Sequence, residues 1–225
     1  MTEQAAPRAA AEGRPREQAY DRLKRRLMAG EILPGEMVSL RDLVKRLDLP
    51  LAAVREALSR LEGEGLVRVF PKRGIQVCPV DMSFMREAFQ LRLILEREGV
   101  AVLAAAAEQP ALPELERRLR RLREAAAAAV TPAVQAEAIS VDRALHDAII
   151  GALESGMITA LYGQVRDRLL LVRAATRLPL GGMVLAATEE HLDIVGALLR
   201  RDQAAAGLAL TRHLDAAMRR QIGIW

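Results

Sequence analysis

Cysteine, aromatic residues and long apolar runs are all scarce in this sequence of 225 residues. Its single cysteine, Cys78, excludes an intrachain disulfide framework and any multi-cysteine zinc finger. Aromatic residues make up 3% of a chain that is 51% hydrophobic, which favours packed helices over a barrel of aromatic strands. No apolar run approaches the roughly 20 residues that a membrane helix needs, and the N-terminus lacks the apolar core of a secretory signal. We therefore expect a cytoplasmic protein without a membrane segment.

The positive charge is concentrated in the first third of the chain. Residues 1–80 contain 15 Lys and Arg against 11 Asp and Glu, whereas residues 81–225 contain 18 of each. The formal net charge of +4 therefore arises entirely before residue 81. A module that binds a polyanion would be expected there, although a basic segment on an otherwise neutral protein fits the charge equally well.

Helix and turn signals divide the first 78 residues into two parts. Residues 1–16 show no apolar period and are predicted to be a disordered lead-in. Residues 17–78 then show three helical periods and two short β-rich runs, which a basic Pro-Lys-Arg-Gly turn joins. The helices are predicted at 17–28, 40–47 and 51–62, and the strands at 66–70 and 75–78. Three helices followed by a hairpin predict a winged helix-turn-helix over residues 17–78.

The remainder of the chain has only helical character. After a short linker at residues 79–82, apolar residues recur with helical spacing throughout residues 83–225, and no strand signal remains. The fold is therefore predicted to be mainly α: an N-terminal winged helix-turn-helix followed by an all-α antiparallel helical bundle.

Several basic residues lie on the elements that a winged helix presents to DNA. The second helix of a helix-turn-helix enters the major groove, where the fork of an arginine can reach O6 and N7 of guanine. A single arginine is usually a solvated surface charge, but a group of them on these elements favours DNA contact. The candidates are Arg41 and Lys45 on the second helix, Arg55 and Arg60 on the third, and Lys72, Arg73 and Gly74 at the hairpin turn.

The same segment resembles the N-terminal domain of the GntR superfamily of bacterial transcription regulators. The matching residues are the G-E-I-L-P-G turn, the V-R-E-A-L-S-R-L-E-G-E-G-L-V segment and the R-G of the hairpin. The resemblance implies that Arg41, Arg55 and Gly74 occupy DNA-contact positions, and that the protein is a homodimer on a palindromic operator of double-stranded DNA. The chain departs from the family pattern at Leu51, where a DNA-contacting arginine is common.

All three histidines lie beyond residue 140, on predicted inward faces of helices. Asp142 precedes His146 by four residues, which places both on one helical face. His191 and His213 each lie about eleven residues from the turn near 201–202, so an antiparallel hairpin brings them level. A lone buried histidine is usually satisfied by its surroundings, but four polar groups on core faces need a common partner. We therefore predict that Asp142, His146, His191 and His213 bind a divalent metal ion, with Zn²⁺, Ni²⁺, Mn²⁺ and Fe²⁺ all suited.

These residues resemble the metal-binding FCD ligand-binding domain of the FadR branch of the GntR superfamily. The chain has D-x-x-x-H at 142–146, E-H at 190–191 and a further histidine at 213, and its Arg92 and Glu96 match an R-x-x-x-E motif. The resemblance implies a metal ion that helps to hold a small carboxylate effector, with Arg92 as a second contact to that effector. The chain departs from the family at Met157, where a polar residue is common.

Together these features predict a ligand-responsive, DNA-binding transcription regulator, a repressor rather than an enzyme. Two alternatives use the same Asp/His cluster. One is a metal-dependent enzyme in which Glu189 or Glu190 is the general base, and the other is a protein with a purely structural metal ion. A basic winged helix has no role in the enzyme alternative.

Overall fold

The computed structural model describes residues 6–176 and 181–221, within which nine helices and three short strands are found. Residues 1–5 of the predicted lead-in and residues 222–225 of the predicted helical domain lie outside the described residues. The predicted mainly helical fold, with a small sheet in the winged helix, is confirmed. The elements are α1 (Ala6–Met28), β1 (Met37–Val38), α2 (Leu40–Leu47), α3 (Leu51–Gly63), β2 (Val67–Phe70), β3 (Gly74–Val77), α4 (Met82–Ala105), α5 (Leu112–Ala128), α6 (Pro132–Gly151), α7 (Gly156–Thr176), α8 (Gly181–Leu199) and α9 (Gln203–Gln221).

The first helix begins earlier than the sequence predicts. Residues 6–16 were expected to belong to a disordered lead-in, whereas the structure includes them in α1. Alanine has the highest helix propensity of all residues, and this segment contains several alanines. Pro15 interrupts the backbone hydrogen bonds without ending the helix. Few large apolar residues in a segment indicate that it contributes little to a hydrophobic core. They do not indicate that the segment is not helical.

The winged helix has three helices and a three-stranded sheet. Ser39 caps α2 by accepting a hydrogen bond from the backbone N–H of Asp42, as the capping box predicts. The strand order is β1-β3-β2, with both pairs antiparallel, and Val38 lies opposite Ile75. Strand β1 was not predicted, because two residues are too short to show an alternating pattern.

The chain forms two compact units, and their boundary differs from the predicted one. The first unit comprises residues 1–81 and 164–177, and the second comprises residues 82–163 and 178–225. Residues 164–177, which the sequence assigned to the helical domain, therefore group with the winged helix. The reason lies in the apolar face of α7: Leu171 is fully buried in the hydrophobic core that the winged-helix residues form.

The second unit is a bundle in which α4 packs against α6, α8 and α9. Gly99 permits the close approach of α4 to α6, because a Cβ atom there would clash with the carbonyl oxygen of Ile149. This approach lies one turn beyond Glu96 on α4 and His146 on α6, and so it brings those two residues together. None of the described helices combines the length and the apolar content that crossing a membrane would take.

Candidate functional site

Four predicted ligands converge inside the helical unit. Asp142 and His146 lie on α6, His191 lies on α8 and His213 lies on α9. Each offers one ligand atom, and these four atoms all lie within 4.8 Å of one another. Nε2 of His191 is 3.3 Å from Nε2 of His213, which is the level arrangement that equal spacing from the turn predicts. The three histidines are buried, whereas the side chain of Asp142 is 36% exposed.

Two carboxylates outside this set form hydrogen bonds with two of the imidazoles, each at the ring nitrogen that points away from the cluster. Nδ1 of His146 is 2.7 Å from Oε2 of Glu96, and Nδ1 of His213 is 2.8 Å from Oε2 of Glu190. An ionised carboxylate only accepts hydrogen bonds, so Nδ1 is the protonated nitrogen in both rings. In a neutral imidazole held in this way, Nε2 is the nitrogen with the lone pair, and in both rings it is Nε2 that faces the cluster. Carboxylates that orient histidine ligands in this way are typical of metal sites in proteins.

Both of these carboxylates are ionised by their surroundings. Burial raises the pKa of Glu96, but Arg92 and His146 outweigh this effect and hold the pKa well below its usual value. Burial likewise raises the pKa of Glu190, yet the hydrogen bonds from Arg220 and His213 lower it to about 2. Arg220 binds both oxygens of Glu190 at 2.7 Å. Both groups thus remain acceptors for imidazole N–H at neutral pH.

Burial also favours neutral imidazoles. It lowers the pKa of His191 well below the usual value, with a further decrease from the neighbouring His213. Burial lowers the pKa of His213 as well, even though the hydrogen bond to Glu190 acts in the opposite direction. Only a neutral imidazole has a lone pair to give to a metal ion. Three imidazole nitrogens and one carboxylate oxygen at these separations fit a divalent transition metal ion.

Arg92 lies beside this cluster in a buried network. Its Nε donates to Oε1 of Glu96 at 2.7 Å, and its Nη2 lies 3.2 Å from Nε2 of His146. Tyr162 on α7 donates to the same Oε1 of Glu96 at 3.0 Å. Arg92 thus stands at hydrogen-bond distance from a predicted ligand. Its role in holding an effector remains a prediction.

Two members of this network were missed from the sequence. Arg220 and Tyr162 lie far from the histidines along the chain, and no spacing rule connects them to the cluster. Glu190 was a candidate general base for the enzyme alternative, but the structure pairs it with Arg220 and His213. Glu189, the other candidate base, is exposed.

The winged helix has an exposed set of basic side chains on the predicted elements. Arg41 and Lys45 are exposed on α2, Arg55 is exposed on α3, and Lys72 and Arg73 are exposed at the hairpin turn. The apolar residues of α3, among them Val54, Leu58 and Leu61, face the core. Arg55 therefore projects from the face of α3 opposite to the one that packs.

Arg60 lies elsewhere on α3. Its guanidinium is 3.6 Å from the centre of the Tyr20 ring, and its Nε is 3.3 Å from Oε1 of Glu64. At 3.6 residues per turn, Arg60 is about 140° around the helix axis from Arg55. The two arginines thus belong to different faces, and contacts within the protein already account for Arg60.

The backbone at position 74 explains why the residue there is glycine, which the sequence did not reveal. Its φ is +122°, and a Cβ atom there would lie 2.9 Å from the carbonyl oxygen of Val38 on the neighbouring strand. Residues with a side chain rarely adopt this backbone conformation. Glycine is therefore required for the pairing of β1 with β3, whether or not the backbone also approaches DNA.

Exposed basic side chains on a helix-turn-helix and its hairpin define a DNA-binding protein of the winged-helix class. Two family descriptions match the chain: "Bacterial regulatory proteins, gntR family" over residues 15–77, and "FCD domain" over residues 87–216. The chain belongs to the GntR family of bacterial transcription regulators, in the group with an FCD domain. The family resemblance inferred from the sequence motifs is confirmed.

Relatives in several bacteria are named as regulators of the same type. The chain is 28% identical to "Uncharacterized HTH-type transcriptional regulator BphR" of Paraburkholderia xenovorans, over 92% of this chain and 86% of that protein. It is 24% identical to "HTH-type transcriptional repressor RspR" of Escherichia coli, over 88% of this chain and 85% of that protein. The chain is 29% identical to "Uncharacterized HTH-type transcriptional regulator in the TAR-I ttuE-ttuC' intergenic region" of Agrobacterium vitis, over 50% of this chain and 65% of that protein.

Solved structures have the same fold. Escherichia coli McbR/YncC is similar with a TM-score of 0.75 and 21% identity, over 93% of this chain and 97% of that chain. The Zn²⁺-bound FCD domain of TM0439 is similar with a TM-score of 0.52 and 23% identity, over 64% of this chain and 95% of that chain. At these identities the similarity establishes the fold.

Proposed function

We propose that this GntR-family regulator is a repressor whose affinity for its operator responds to a small carboxylate, which binds at a metal ion in the helical unit. The observation that carries the proposal is the convergence of four ligand atoms within 4.8 Å, at buried histidines whose Nδ1 atoms are held by carboxylates in two cases. Burying several polar side chains together costs free energy unless they share a binding partner such as a metal ion.

Asp142, His146, His191 and His213 would hold the metal ion, which would supply a Lewis-acidic coordination position for an oxygen of the effector. That the FCD domain of TM0439 was solved with Zn²⁺ supports zinc as a candidate. Nickel, manganese and iron also suit this set of ligands. Asp142 is the partly exposed member, so the cluster reaches solvent on its side.

Arg92 would bind the effector carboxylate. In the structure its Nη2 lies at hydrogen-bond distance from Nε2 of His146. A metal ion held by Nε2 of His146 would occupy the lone pair that otherwise accepts from Arg92. The Nη2 donor would then be available for a charge-assisted hydrogen bond to a carboxylate, while Nε would stay on Glu96.

On the DNA side, we propose that the protein binds a palindromic operator as a homodimer, with one winged helix in each half-site. Arg55 would contact base edges in the major groove, and Arg41, Lys45, Lys72 and Arg73 would contact phosphates or the minor groove. The name of the RspR relative supports repression as the sign of regulation. The effector can change operator affinity only by binding two arrangements of the protein with different affinity.

The decisive experiment measures operator affinity with metal and effector varied independently. An operator is first selected from random duplexes, and its affinity is measured by fluorescence anisotropy with and without Zn²⁺ in the presence of hydroxy acids and sugar acids. We expect one acid to change the affinity by about fivefold or more, the lower end of common coupling strengths. The change should require Zn²⁺ and should be absent with the corresponding amide.

The His146→Ala variant serves as the matched control, because it should lose the response while still binding the operator. An acid that stabilises the metal-loaded protein and leaves operator affinity unchanged would contradict a regulatory site. A structural metal ion or an enzymatic activity would then explain the cluster better.

A further inference from the structure

Helix α3 begins with an apolar side chain at the protein surface. Leu51 is its first residue and is 45% exposed. By contrast, Val54, Leu58 and Leu61 of the same helix face the core and are each at most 3% exposed. Leu51 thus keeps a large apolar surface open to a partner, at the end of α3 where the chain enters the helix.

Leu51 lies on the same face of α3 as Arg55, and both side chains are exposed. Residues four apart in an α-helix differ by about 6 Å along the axis and by about 40° around it. The N-terminal residues of a recognition helix are the ones that contact base edges. Where the face that bears Arg55 enters the major groove, Leu51 therefore faces the bases as well, about two base-pair steps away.

The first turn of α3 presents an apolar, uncharged surface. Residues 51–54 are Leu-Ala-Ala-Val, and the side chain of Pro50 before them forms no capping hydrogen bond. The first acidic residue of the helix, Glu56, is paired with Arg16 on α1 at 3.1 Å. A leucine side chain neither donates nor accepts a hydrogen bond, so it cannot distinguish bases by their nitrogen and oxygen atoms. The apolar group that B-DNA displays in the major groove is the C5 methyl of thymine.

We propose that Leu51 is a specificity-determining residue, which selects thymine in each operator half-site by contact with the C5 methyl group. The inference rests on the proposed function, because it requires that α3 enters the major groove with Arg55 toward the bases. Cytosine, the other pyrimidine, has only a hydrogen atom at C5 and leaves the leucine surface uncovered. Removing one methyl-sized group from an apolar contact changes a binding constant by about fourfold.

The test uses the full chain and an operator that the wild-type protein selects from random duplexes. Each thymine of one half-site is replaced in turn by deoxyuridine, which lacks only the C5 methyl group, and the affinity is measured by fluorescence anisotropy. We expect one thymine at which the replacement lowers the affinity by about fourfold. This thymine should lie within about two base pairs of the position at which Arg55→Ala loses discrimination between bases. The measurement needs neither the metal ion nor the effector.

Two variants at position 51 assign this sensitivity to Leu51. Leu51→Ala should bind the thymine and deoxyuridine duplexes equally, because the shortened side chain no longer reaches the methyl group. Leu51→Arg should prefer guanine at the same position, since the fork of an arginine can reach O6 and N7. Leu33→Ala is the matched control, because Leu33 is 40% exposed in the turn before β1, outside α2, α3 and the hairpin turn. It should retain the wild-type preference for thymine.

The outcomes separate this inference from the proposed function. If the wild type selects no specific operator, the proposed function fails, and the role of Leu51 fails with it. If an operator is selected but Leu51→Ala keeps the full loss of affinity with deoxyuridine, only the role of Leu51 is overturned. Deoxyuridine alters only the DNA, so a wild-type protein that tolerates it at every thymine overturns that role without any variant. Should Leu51→Ala be poorly folded, the base preference of Leu51→Arg decides.

Discussion

Nδ1 of His146 lies 2.7 Å from Oε2 of Glu96, although fifty positions separate the two residues in the chain. Because Glu96 is ionised and can only accept, Nδ1 of His146 donates this hydrogen bond, and the bond fixes the ring with Nε2 toward the cluster. A second pair, His213 with Glu190, repeats the arrangement on α8 and α9. The helical unit thus orients two of the three imidazoles before any ligand arrives, which reduces the entropy that binding must overcome.

Replacing Arg55 by alanine should weaken specific operator binding by about 5-fold to 150-fold, corresponding to about 1–3 kcal/mol for a bidentate contact to a base. Fluorescence anisotropy at two salt concentrations measures the loss and shows how much of it is electrostatic. Arg60→Ala is the matched control, because Arg60 lies against Tyr20 on another face of α3. Equal losses in both variants would show that Arg55 does not have a specific role.

Wild-type protein should retain about one divalent metal ion per chain after dialysis, since the described residues contain one set of four candidate ligands. His191→Ala and His213→Ala should each lose that ion, because removing one of four ligands leaves a weak site. Elemental analysis of the dialysed proteins checks this directly. Glu189→Ala is the control, since Glu189 is exposed and adjoins the site in sequence only. Full occupancy in both histidine variants would refute the four-ligand site.

Gly74→Ala should destabilise the winged helix by roughly 1–3 kcal/mol, the usual cost of holding a residue with a side chain in a disfavoured backbone region. The cause is the φ of +122° together with the approach to the carbonyl oxygen of Val38. Urea unfolding measures the loss. Gly63→Ala should have the opposite sign, because nothing lies within 4 Å of its added Cβ and alanine favours the helix. A neutral effect at Gly74 would contradict the strand geometry.

The stability of the winged helix should depend on pH through Glu64. Burial raises the pKa of Glu64, but the hydrogen bonds from Lys24 and Tyr20 outweigh this effect and lower the pKa below its usual value. A lowered pKa in the folded state means that the contribution is fully present above about pH 4.3, the ordinary glutamate value, and is lost as the pH falls further. The difference in unfolding free energy between wild type and Glu64→Gln should therefore shrink from pH 6 to pH 3. Glu56→Gln, at a side chain that is 55% exposed, is the control for loss of a carboxylate on the same domain. A constant difference for Glu64→Gln would refute the role.

The local signals in the sequence were sufficient to predict most of the helices and the convergence of Asp142, His146, His191 and His213. Asp142 and His146 could be paired because the helical period alone places residues four apart on one face. His191 and His213 could be paired because a tight turn makes distance along two antiparallel helices a simple count. Residues 40–47 form α2 as predicted, since Ser39 and Asp42 define its start locally.

What the sequence could not provide are contacts between residues that no period or turn relates. The pairs Glu96–His146, Glu190–Arg220 and Lys24–Asp167 depend on how helices cross, and crossing depends on packing such as that of Gly99 against α6. Arg60 is another example. Its charge and its position on α3 could be read from the sequence, but its contact with the Tyr20 ring could not. The amino-acid pattern was thus enough to predict the family, most of the helices and the four residues that converge in the helical unit. The packing of the folded chain decided which carboxylates hold two of the imidazoles and that residues 164–177 group with the winged helix. Both depend on side chains that are far apart in the sequence and meet only in the folded core.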